Sequence, residues 1–459
     1  MERNGPETYK EISQMDKKIS LGKKELFAVV LLAIINLFLF ADQNLMAPNL
    51  TQIAHEFGFN NIERDIKLGG NISFVFWVLG AIITLGIGWL TDRFSRKKLF
   101  IATVLVGSIP CFMTGFARNY TELFWLRALT GIGIGGLMPL TFSLIGDFFT
   151  HKNRAIASAI VAFSQGMGVA LGQLIAGFIG PEYGWRLPFI IVGLPNFVMI
   201  FLFWLAVREP ARGVTEDSLK ELIESGHAYT GKINWSVYKE LFKIKTNIIV
   251  FIQGVPGCIP WGVFFIFLND YFAQDKGFSV ESATVIVMVA GACCILGGFA
   301  GGIIGNWFYN KNAKYMPLFA GLAAIAGTIP TAFLLNYPSQ IGIASPSLVP
   351  PLIFAALAGF TNSLTGVNVN VLALNVNTPE TRGSLFSLYN LVDALGKGFG
   401  PVVISLFISV LGRNVAFNIA NFFWVICGLI ILIAVRTFPR DEAALNETLR
   451  KRAEIMMKE

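Results

Sequence analysis

The chain has 459 residues, of which 54% are hydrophobic and only 14% are charged. This composition excludes a soluble globular protein and is typical of a protein that crosses a membrane many times. The net charge of +7 lies in loops and tails beside apolar runs, so we expect no nucleic-acid partner. The five cysteines lie in apolar segments, without metal-ligand spacing to the three histidines. They are therefore predicted to be buried thiols, and no metal or cofactor is expected.

Twelve apolar runs have the length of a membrane-crossing helix, which is about 20 residues. The predicted spans are 25–48, 68–91, 99–117, 122–147, 155–180, 187–207, 247–270, 283–307, 315–336, 347–373, 384–411 and 415–436. Runs of this length predict helices, because the strands of a membrane barrel show short alternating segments. The polar residues before the first span contain no apolar core with a cleavage site, so this span is expected to act as an uncleaved insertion signal.

The basic residues predict the orientation of the spans. Twelve spans place both termini on one side, and cytoplasmic segments are enriched in Lys and Arg. With cytoplasmic termini, 28 of the 36 basic residues lie in inner segments and 6 in outer loops. The remaining two, Arg127 and Lys397, lie inside spans. We therefore predict an integral protein of the plasma (inner) membrane with both termini in the cytoplasm.

The longest polar stretch inside the chain divides the spans into two halves of six. The predicted organisation is a cytoplasmic N-terminal tail (1–24), a six-helix bundle (25–207), a cytoplasmic linker (208–246), a second six-helix bundle (247–436) and a cytoplasmic C-terminal tail (437–459). The halves repeat one another weakly: the pair Asp147 and Arg154 matches Asn375 and Arg382 at a shift of 228 residues, and Arg186 before the sixth span matches Arg413 before the twelfth at a shift of 227. Such matches in order indicate an internal duplication.

A short charged turn separates the second and third predicted spans. Residues 88–98 contain one acid and four basic residues. Charges at such a turn commonly serve only to fix topology. The order of the residues favours a further role, because Asp92 follows Gly88 by four positions and can cap a neighbouring helix or pair with a cation.

This turn resembles the loop signature of the major facilitator superfamily, whose usual form is G-x-L-x-D-R-x-G-R-K; here Ser95 replaces the second glycine. The resemblance implies an all-α membrane protein with twelve transmembrane helices in two six-helix pseudo-repeats. It also implies alternating access between the halves and an inner-side gating network that stabilises the outward-open state. The predicted members of that network are Gly88, Asp92, Arg93, Arg96, Lys97, Asp147 and Arg154.

Two charged residues lie at similar depth in the first and fourth predicted spans. Charges inside a membrane are costly and usually have a partner or a function. Because Asp42 and Arg127 both lie in the outer half of their spans, they can pair. Two interpretations are open: a structural ion pair, or a proton switch. In the switch, protonation of Asp42 frees Arg127 or lets a substrate anion replace the carboxylate.

A second group of polar residues lies in the tenth and eleventh spans. Asp393 and Lys397 are spaced i, i+4 and share one helical face, with Tyr389 one turn earlier. They either neutralise each other or contribute to the substrate and proton site of a central cavity. Asn368 and Asn370 either hydrogen-bond a ligand or hold helices together.

Several stretches resemble the Spinster-like branch of the superfamily, among them FADQNLMAPNL with Asp42, LFWLRALTGIGIGG with Arg127, and GDFFTHKNRAIASA. The resemblance implies proton coupling through these two charged residues and transport of lysophospholipids or sphingolipids. One departure is Gln43, where the family commonly has Arg.

We therefore predict a secondary active transporter that couples an amphiphilic substrate, such as a lysophospholipid, to protons by symport. It is expected to act as a monomer among membrane lipids. Two alternatives stay open: a transporter of small organic anions, in which Arg127 and Lys397 bind a carboxylate, and a substrate sensor that binds without flux. An enzyme is not expected, because no nucleophile–base set or metal cluster is visible.

Overall fold

The computed structural model of the protein describes residues 23–149, 151–207, 235–343 and 346–456. Within these ranges the chain is helical, has no β-strand, and contains twelve helices that are long and apolar enough to cross a membrane. The predicted all-α membrane fold with twelve spans is confirmed.

The bounds of the principal helices are α1 (Lys23–Ala41), α2 (Ile72–Arg93), α3 (Arg96–Thr114), α4 (Tyr120–Phe148), α5 (His151–Tyr183), α6 (Arg186–Ala206), α7 (Lys245–Gln274), α8 (Val280–Lys311), α9 (Tyr315–Leu335), α10 (Val349–Asn375), α11 (Arg382–Leu411) and α12 (Arg413–Met456).

The first span is longer than the sequence indicated and is broken in the middle. After α1 it continues through two 3-10 turns into the short helix Leu50–Glu56. Pro48 lies in the second turn, where its missing N–H and fixed φ suit the start of a helical segment. The first turn, Asp42–Asn44, begins with the predicted charged residue. The break therefore places Asp42 where the regular helix ends.

The second span also begins earlier than predicted. The helix Asn61–Glu63 and the π-helix Arg64–Asn71 precede α2. Asn60 caps this segment: its side chain accepts a hydrogen bond from the Glu63 amide, and Glu63 accepts one from the Asn60 amide. Arg64, which the sequence placed in an outer loop, is consequently part of a helix.

Glycines bring the helices of the N-terminal half into backbone contact. In α4, Gly131 lies against the backbone of Phe76 and Gly135 against that of Gly80, both on α2. In α5, Gly172 lies against the carbonyl of Ala41. A side chain at any of these glycines would overlap the neighbouring backbone, so the glycine-rich run in α4 serves helix packing.

The two halves meet close to one side of the bundle. We call the side where α1 begins the terminal face, and the side where the first span ends, at Glu56, the far face. Towards the far face, the rings of Phe74 on α2 and Phe399 on α11 lie with their centroids 4.9 Å apart. Nearby, Gly177 on α5 lies against the side chain of Thr284 on α8. The halves are therefore closed against each other on the far face.

The internal repeat has a matching structural contact in each half. Arg154, in the first turns of α5, donates hydrogen bonds to the carbonyls of Gly146 (2.7 Å) and Phe149 (2.9 Å) at the end of α4. Arg382, at the start of α11, donates one to the carbonyl of Leu374 (3.4 Å) at the end of α10. Each arginine thus binds carbonyls that a helix C-terminus leaves without partners.

The predicted tails and linker are described in part. Residues 1–22, 208–234 and 457–459 lie outside the described ranges, and a short helix, Trp235–Leu241, leads into α7. α12 continues beyond the predicted end of the last span, and Asp441 on this extension accepts hydrogen bonds from the amide and hydroxyl of Thr246. This carboxylate therefore caps the start of α7.

Candidate transport site

A central cavity of about 770 Å³ lies between the two halves. Its wall includes Gln43, Trp77, Thr84, Gln165, Phe265, Asn390, Asp393 and Lys397. It also includes Phe142 near the end of α4, Tyr238 of the linker helix and Gly383 in the first turn of α11, all towards the terminal face. The cavity therefore extends to the terminal face, while the far face is closed.

The structure brings Asp42 and Arg127 together, as their depth in the two spans predicted. A guanidinium nitrogen of Arg127 lies 2.5 Å from a carboxylate oxygen of Asp42, and a second donates to the Asp42 carbonyl at 3.2 Å. Both residues are buried, with 2% or less of their surface exposed. The guanidinium also lies 5.0 Å from the ring of Phe76 and 5.5 Å from that of Phe189. The pair therefore lies in a medium of low polarity, where charge attraction is strong.

The ion pair retains unused hydrogen-bonding capacity. One Asp42 oxygen, Oδ2, and the Arg127 Nε are buried and have no hydrogen-bond partner. A small cavity of about 30 Å³ touches Arg127 and shares Gln43 and Trp77 with the wall of the central cavity. Because a water needs at least about 10–15 Å³ of such space, the small cavity has room for one beside Arg127.

Lys397 and Asp393 line the same central cavity, one helical turn apart on α11. In the described part of the structure they form no salt bridge with each other or with another side chain. The ammonium of Lys397 instead lies 5.1 Å from the ring centroid of Trp77, on the other half of the protein. Asp393 Oδ1 is buried without a hydrogen-bond partner. Of the two interpretations that the sequence left open, a direct salt bridge between Asp393 and Lys397 is thus not seen, and both side chains line the cavity wall.

A second cavity, of about 460 Å³, lies within the C-terminal half, and we call it the side chamber. It shares Phe265, Asp393 and Lys397 with the central cavity, so the two spaces adjoin at these residues. Tyr389 and Asn370, both predicted from the sequence, line the side chamber.

Asn368 lies between helices and is not among the residues that line either cavity. It is buried, and its amide donates to the carbonyls of Gly301 (3.0 Å) and Leu364 (2.8 Å). The bond to Gly301 joins α10 to α8, and the bond to Leu364 lies within α10. The structure therefore assigns Asn368 to helix packing, the second of the two interpretations that its sequence position left open.

The charged turn on the terminal face is described only in part. The side chains of Asp92, Arg93 and Asp147, and the surroundings of Gly88, lie outside the described part of the structure. Lys97 donates to the carbonyl of Trp204 at the C-terminal end of α6 (2.7 Å), a favourable position for a cation. Arg96 lies in the first turn of α3. The described contacts of Lys97 and Arg154 stay within the N-terminal half.

A buried charge network that the sequence did not predict joins the halves at the far face. Arg413, the first residue of α12, contacts three carboxylates: Asp65 (3.0 Å from its Nε), Asp270 (2.8 Å) and Asp275 (3.0 Å). Asp65 belongs to the N-terminal half and the other two to the C-terminal half. Arg64 lies 3.0 Å from Asp65 and 3.6 Å from Asp270. We call these five residues the far-face network.

The network is placed to hold the far face shut. Except for Asp275, its side chains are at most 6% exposed. Asp270 also accepts hydrogen bonds from the amide and hydroxyl of Thr51. Because Thr51 belongs to the N-terminal half, these bonds also join the two halves. Separating the halves here would break the contacts that cross between them, namely Arg413 to Asp65, Arg64 to Asp270 and Thr51 to Asp270. A signal was present in the sequence, since Arg413 matches Arg186 in the repeat, but the carboxylates that it binds are far away along the chain.

Comparison with known proteins identifies the family. The family model described as Major Facilitator Superfamily matches residues 32–350, more than half of the chain. The chain belongs to the major facilitator superfamily. It is accordingly a membrane transporter, and the prediction that it is not an enzyme is confirmed.

Relatives within the superfamily are similar over nearly the whole chain. The cis,cis-muconate transport protein of Acinetobacter baylyi is 23% identical over 405 residues, covering 87% of this chain and 92% of the relative. The probable galactarate/D-glucarate transporter GudP of Escherichia coli is 23% identical over 439 residues, covering 89% and 91%. The crystal structure of a bacterial homolog of the human lysosomal transporter Spinster, inward-facing and unoccupied, has a TM-score of 0.78. It is 19% identical and covers 92% of this chain and 99% of that one. The resemblance to Spinster that the motifs indicated is thus found in the fold.

Proposed function

We propose that this protein is a proton-coupled transporter of organic carboxylates that works by alternating access. The observation that supports this best is Lys397, whose ammonium faces the central cavity without a carboxylate partner among the described residues. A cation in a partly dehydrated cavity favours an anionic ligand, because the ligand replaces the hydration that the cavity removes. Two relatives named for the transport of muconate and of galactarate or glucarate support the same substrate class.

The geometry of the two faces supports alternating access. With the termini in the cytoplasm, as the basic residues predict, the terminal face is the inner side. The far-face network then closes the outer side, and the cavity is open to the inner side. In the outward-open state the network would separate into water, and the charged turn of the terminal face would close the inner side.

Asp42 and Arg127 supply a proton site for coupling. Their pair is neutral while both are charged, and protonation of the carboxyl would leave the guanidinium as an uncompensated buried cation. The small cavity beside Arg127 shares Gln43 and Trp77 with the central cavity. Trp77 also contacts Lys397, so a substrate anion at Lys397 would lie close to the space beside Arg127.

Counterflow in proteoliposomes tests the substrate assignment without needing a proton gradient. Vesicles are loaded with an unlabelled carboxylate such as muconate, and entry of the labelled compound is measured. Lys397→Gln should raise the KM at least tenfold, because a hydrogen bond to a charged group contributes about 1.5–3 kcal/mol. Lys67→Gln is the matched control, since that lysine pairs with Glu63 and is partly exposed outside the cavity. Equal KM values for wild type and Lys397→Gln would refute the role of Lys397.

A lipid substrate is the second candidate, and the cavity wall favours it in one respect. Aromatic and aliphatic side chains form much of the central cavity, among them Phe40, Phe142 and Phe386. An acyl chain would contact these side chains favourably. The same counterflow measurement with a labelled lysophospholipid decides between the candidates: lysolipid exchange without carboxylate exchange would favour the lipid.

A further inference from the structure

The side chamber has a polar wall whose hydrogen bonds are incomplete. Asp393 Oδ1 and Asn370 Oδ1 are buried and have no hydrogen-bond partner. A buried polar atom without a partner costs about 1–3 kcal/mol, so such atoms in a cavity wall usually meet a ligand or water. Both atoms are acceptors, as carboxylate and amide oxygens must be. Whatever completes them has to donate hydrogen bonds.

Two glycines leave space next to the residues that carry these oxygens. Gly254 lies beside Asp393, and a Cβ at that position would come close to the free oxygen. Gly366, on the wall between Thr365 and Val367, has no atom of a neighbouring element within 4 Å of where its Cβ would be. The missing side chains thus leave space in front of the polar wall. The volume of about 460 Å³ lies in the range of ligand pockets, about 300–1,000 Å³.

The wall of the chamber also contains aromatic rings. Trp261 and Trp424 lie with ring centroids 5.5 Å apart, and the Trp424 indole donates to the carbonyl of Gly257 at 3.0 Å. The N–H group of the Trp424 indole therefore already has an acceptor, and the two rings offer flat apolar surfaces to a ligand. A ligand that fills the chamber therefore needs hydrogen-bond donors for the free oxygens and C–H groups for the rings. Among the described residues that line the chamber, Lys397 is the only lysine or arginine, and it lies at the junction with the central cavity.

We propose that the side chamber is a second subsite of the transport site, which binds the hydroxyl-bearing part of a hydroxylated carboxylate. The carboxylate lies at Lys397, and hydroxyl groups donate to Asp393 and Asn370, with Tyr389 beside them. This inference rests on the proposed transport of carboxylates and adds the requirement for hydroxyl groups. A site built to bind hydroxyls rejects an analogue that lacks them strongly, because its polar groups are then left unpaired.

Two six-carbon acids test the subsite, since gluconate has hydroxyl groups and hexanoate has none. Binding of each to the full-length protein in lipid nanodiscs is measured by isothermal titration calorimetry. We expect wild type to bind gluconate at least tenfold more tightly than hexanoate. Asn370→Ala should reduce that ratio severalfold while leaving hexanoate binding within about twofold. Asp393→Asn should also reduce the ratio, although removing the charge beside Lys397 changes the affinity for both acids. Asn418→Ala, which removes an amide of the far face, is the control and should keep the wild-type ratio.

The outcomes separate the two proposals. If hexanoate binds, depends on Lys397, and is bound as tightly as gluconate, the subsite is refuted and carboxylate transport stands. An unchanged ratio in both Asn370→Ala and Asp393→Asn also refutes the subsite. If neither acid binds and Lys397→Gln has no effect in counterflow, the carboxylate proposal fails and the subsite fails with it. Thermal melting of each variant excludes misfolding as the cause.

Discussion

Replacing Arg413 by Gln should open the far face. In the closed state Arg413 contacts Asp65, Asp270 and Asp275, so its loss leaves three carboxylates short of a partner. When the halves separate, water reaches the carboxylates and the penalty disappears. Breaking a buried pair costs about 3–5 kcal/mol, and Arg64 still reaches two of the acids, so the lower value applies. A bias of about 3 kcal/mol changes the ratio of open to closed molecules by about 150-fold.

Arg186 provides a matched control because it occupies the equivalent position in the N-terminal repeat. Its partner, Glu56, belongs to the same half, and the two side chains are 32% and 43% exposed. Such a pair contributes only about 0.2–1 kcal/mol. Arg186→Gln should therefore leave the balance between open and closed states almost unchanged.

The opening can be measured with spin labels across the far face. With the native cysteines replaced by serine, labels at Asn60 and Ser339 report the separation of the halves by double electron–electron resonance. Arg413→Gln should add a population at longer distance that wild type and Arg186→Gln lack. The double variant Arg413→Gln with Asp65→Asn should partly restore the short distance, because Asp65 then no longer leaves a buried negative charge without a partner. Identical distance distributions for wild type and Arg413→Gln would refute the role of the network.

Two further predictions concern pH and helix packing. Burial raises the pKa of Asp275, and the nearby guanidinium groups offset this only in part. Asp275 then binds a proton more readily in the closed state than in an open, hydrated one, so lowering the pH through the raised pKa should increase the closed population. Asp275→Asn should remove this component of the spin-label response. An increase in the open population at lower pH would contradict the prediction. Gly172→Val should lower the melting temperature by several degrees, since overpacking costs about 1–3 kcal/mol. Gly166→Val is the control and should leave the melting temperature unchanged, because a Cβ at Gly166 has no neighbour within 4 Å. Heating followed by fluorescence-detected gel filtration compares the two, and equal stabilities would refute the close contact between α5 and α1.

The sequence predicted the helices and the ion pair in the first half for simple physical reasons. A spanning helix must be long and apolar, so apolar run length alone indicates twelve of them. Asp42 and Arg127 are costly in a membrane, and equal depth in antiparallel spans leaves each as the natural partner of the other. The contact follows from depth and charge, without any knowledge of how the helices pack.

The far-face network could not be predicted in the same way. Arg413 and Asp65 are 348 residues apart, and their contact depends on how the two halves dock. Near predicted loop ends, charged residues have water as an alternative partner, so the sequence gives no reason to pair them. The sequence could not predict either that Asp393 and Lys397 form no salt bridge. An i, i+4 spacing permits a pair, but the ring of Trp77 from the other half offers the ammonium another position.

The measurement that tests the account most directly is uptake into proteoliposomes under an imposed pH gradient. A labelled carboxylate, a labelled lysophospholipid and a sugar are compared for wild type, Asp42→Asn and Lys397→Gln. We predict that wild type accumulates the carboxylate in response to the gradient. Asp42→Asn should lose this accumulation while keeping carboxylate exchange, and Lys397→Gln should weaken both by raising the KM at least tenfold. Gradient-driven accumulation of the lysophospholipid alone, or full accumulation of the carboxylate by Asp42→Asn, would contradict the account.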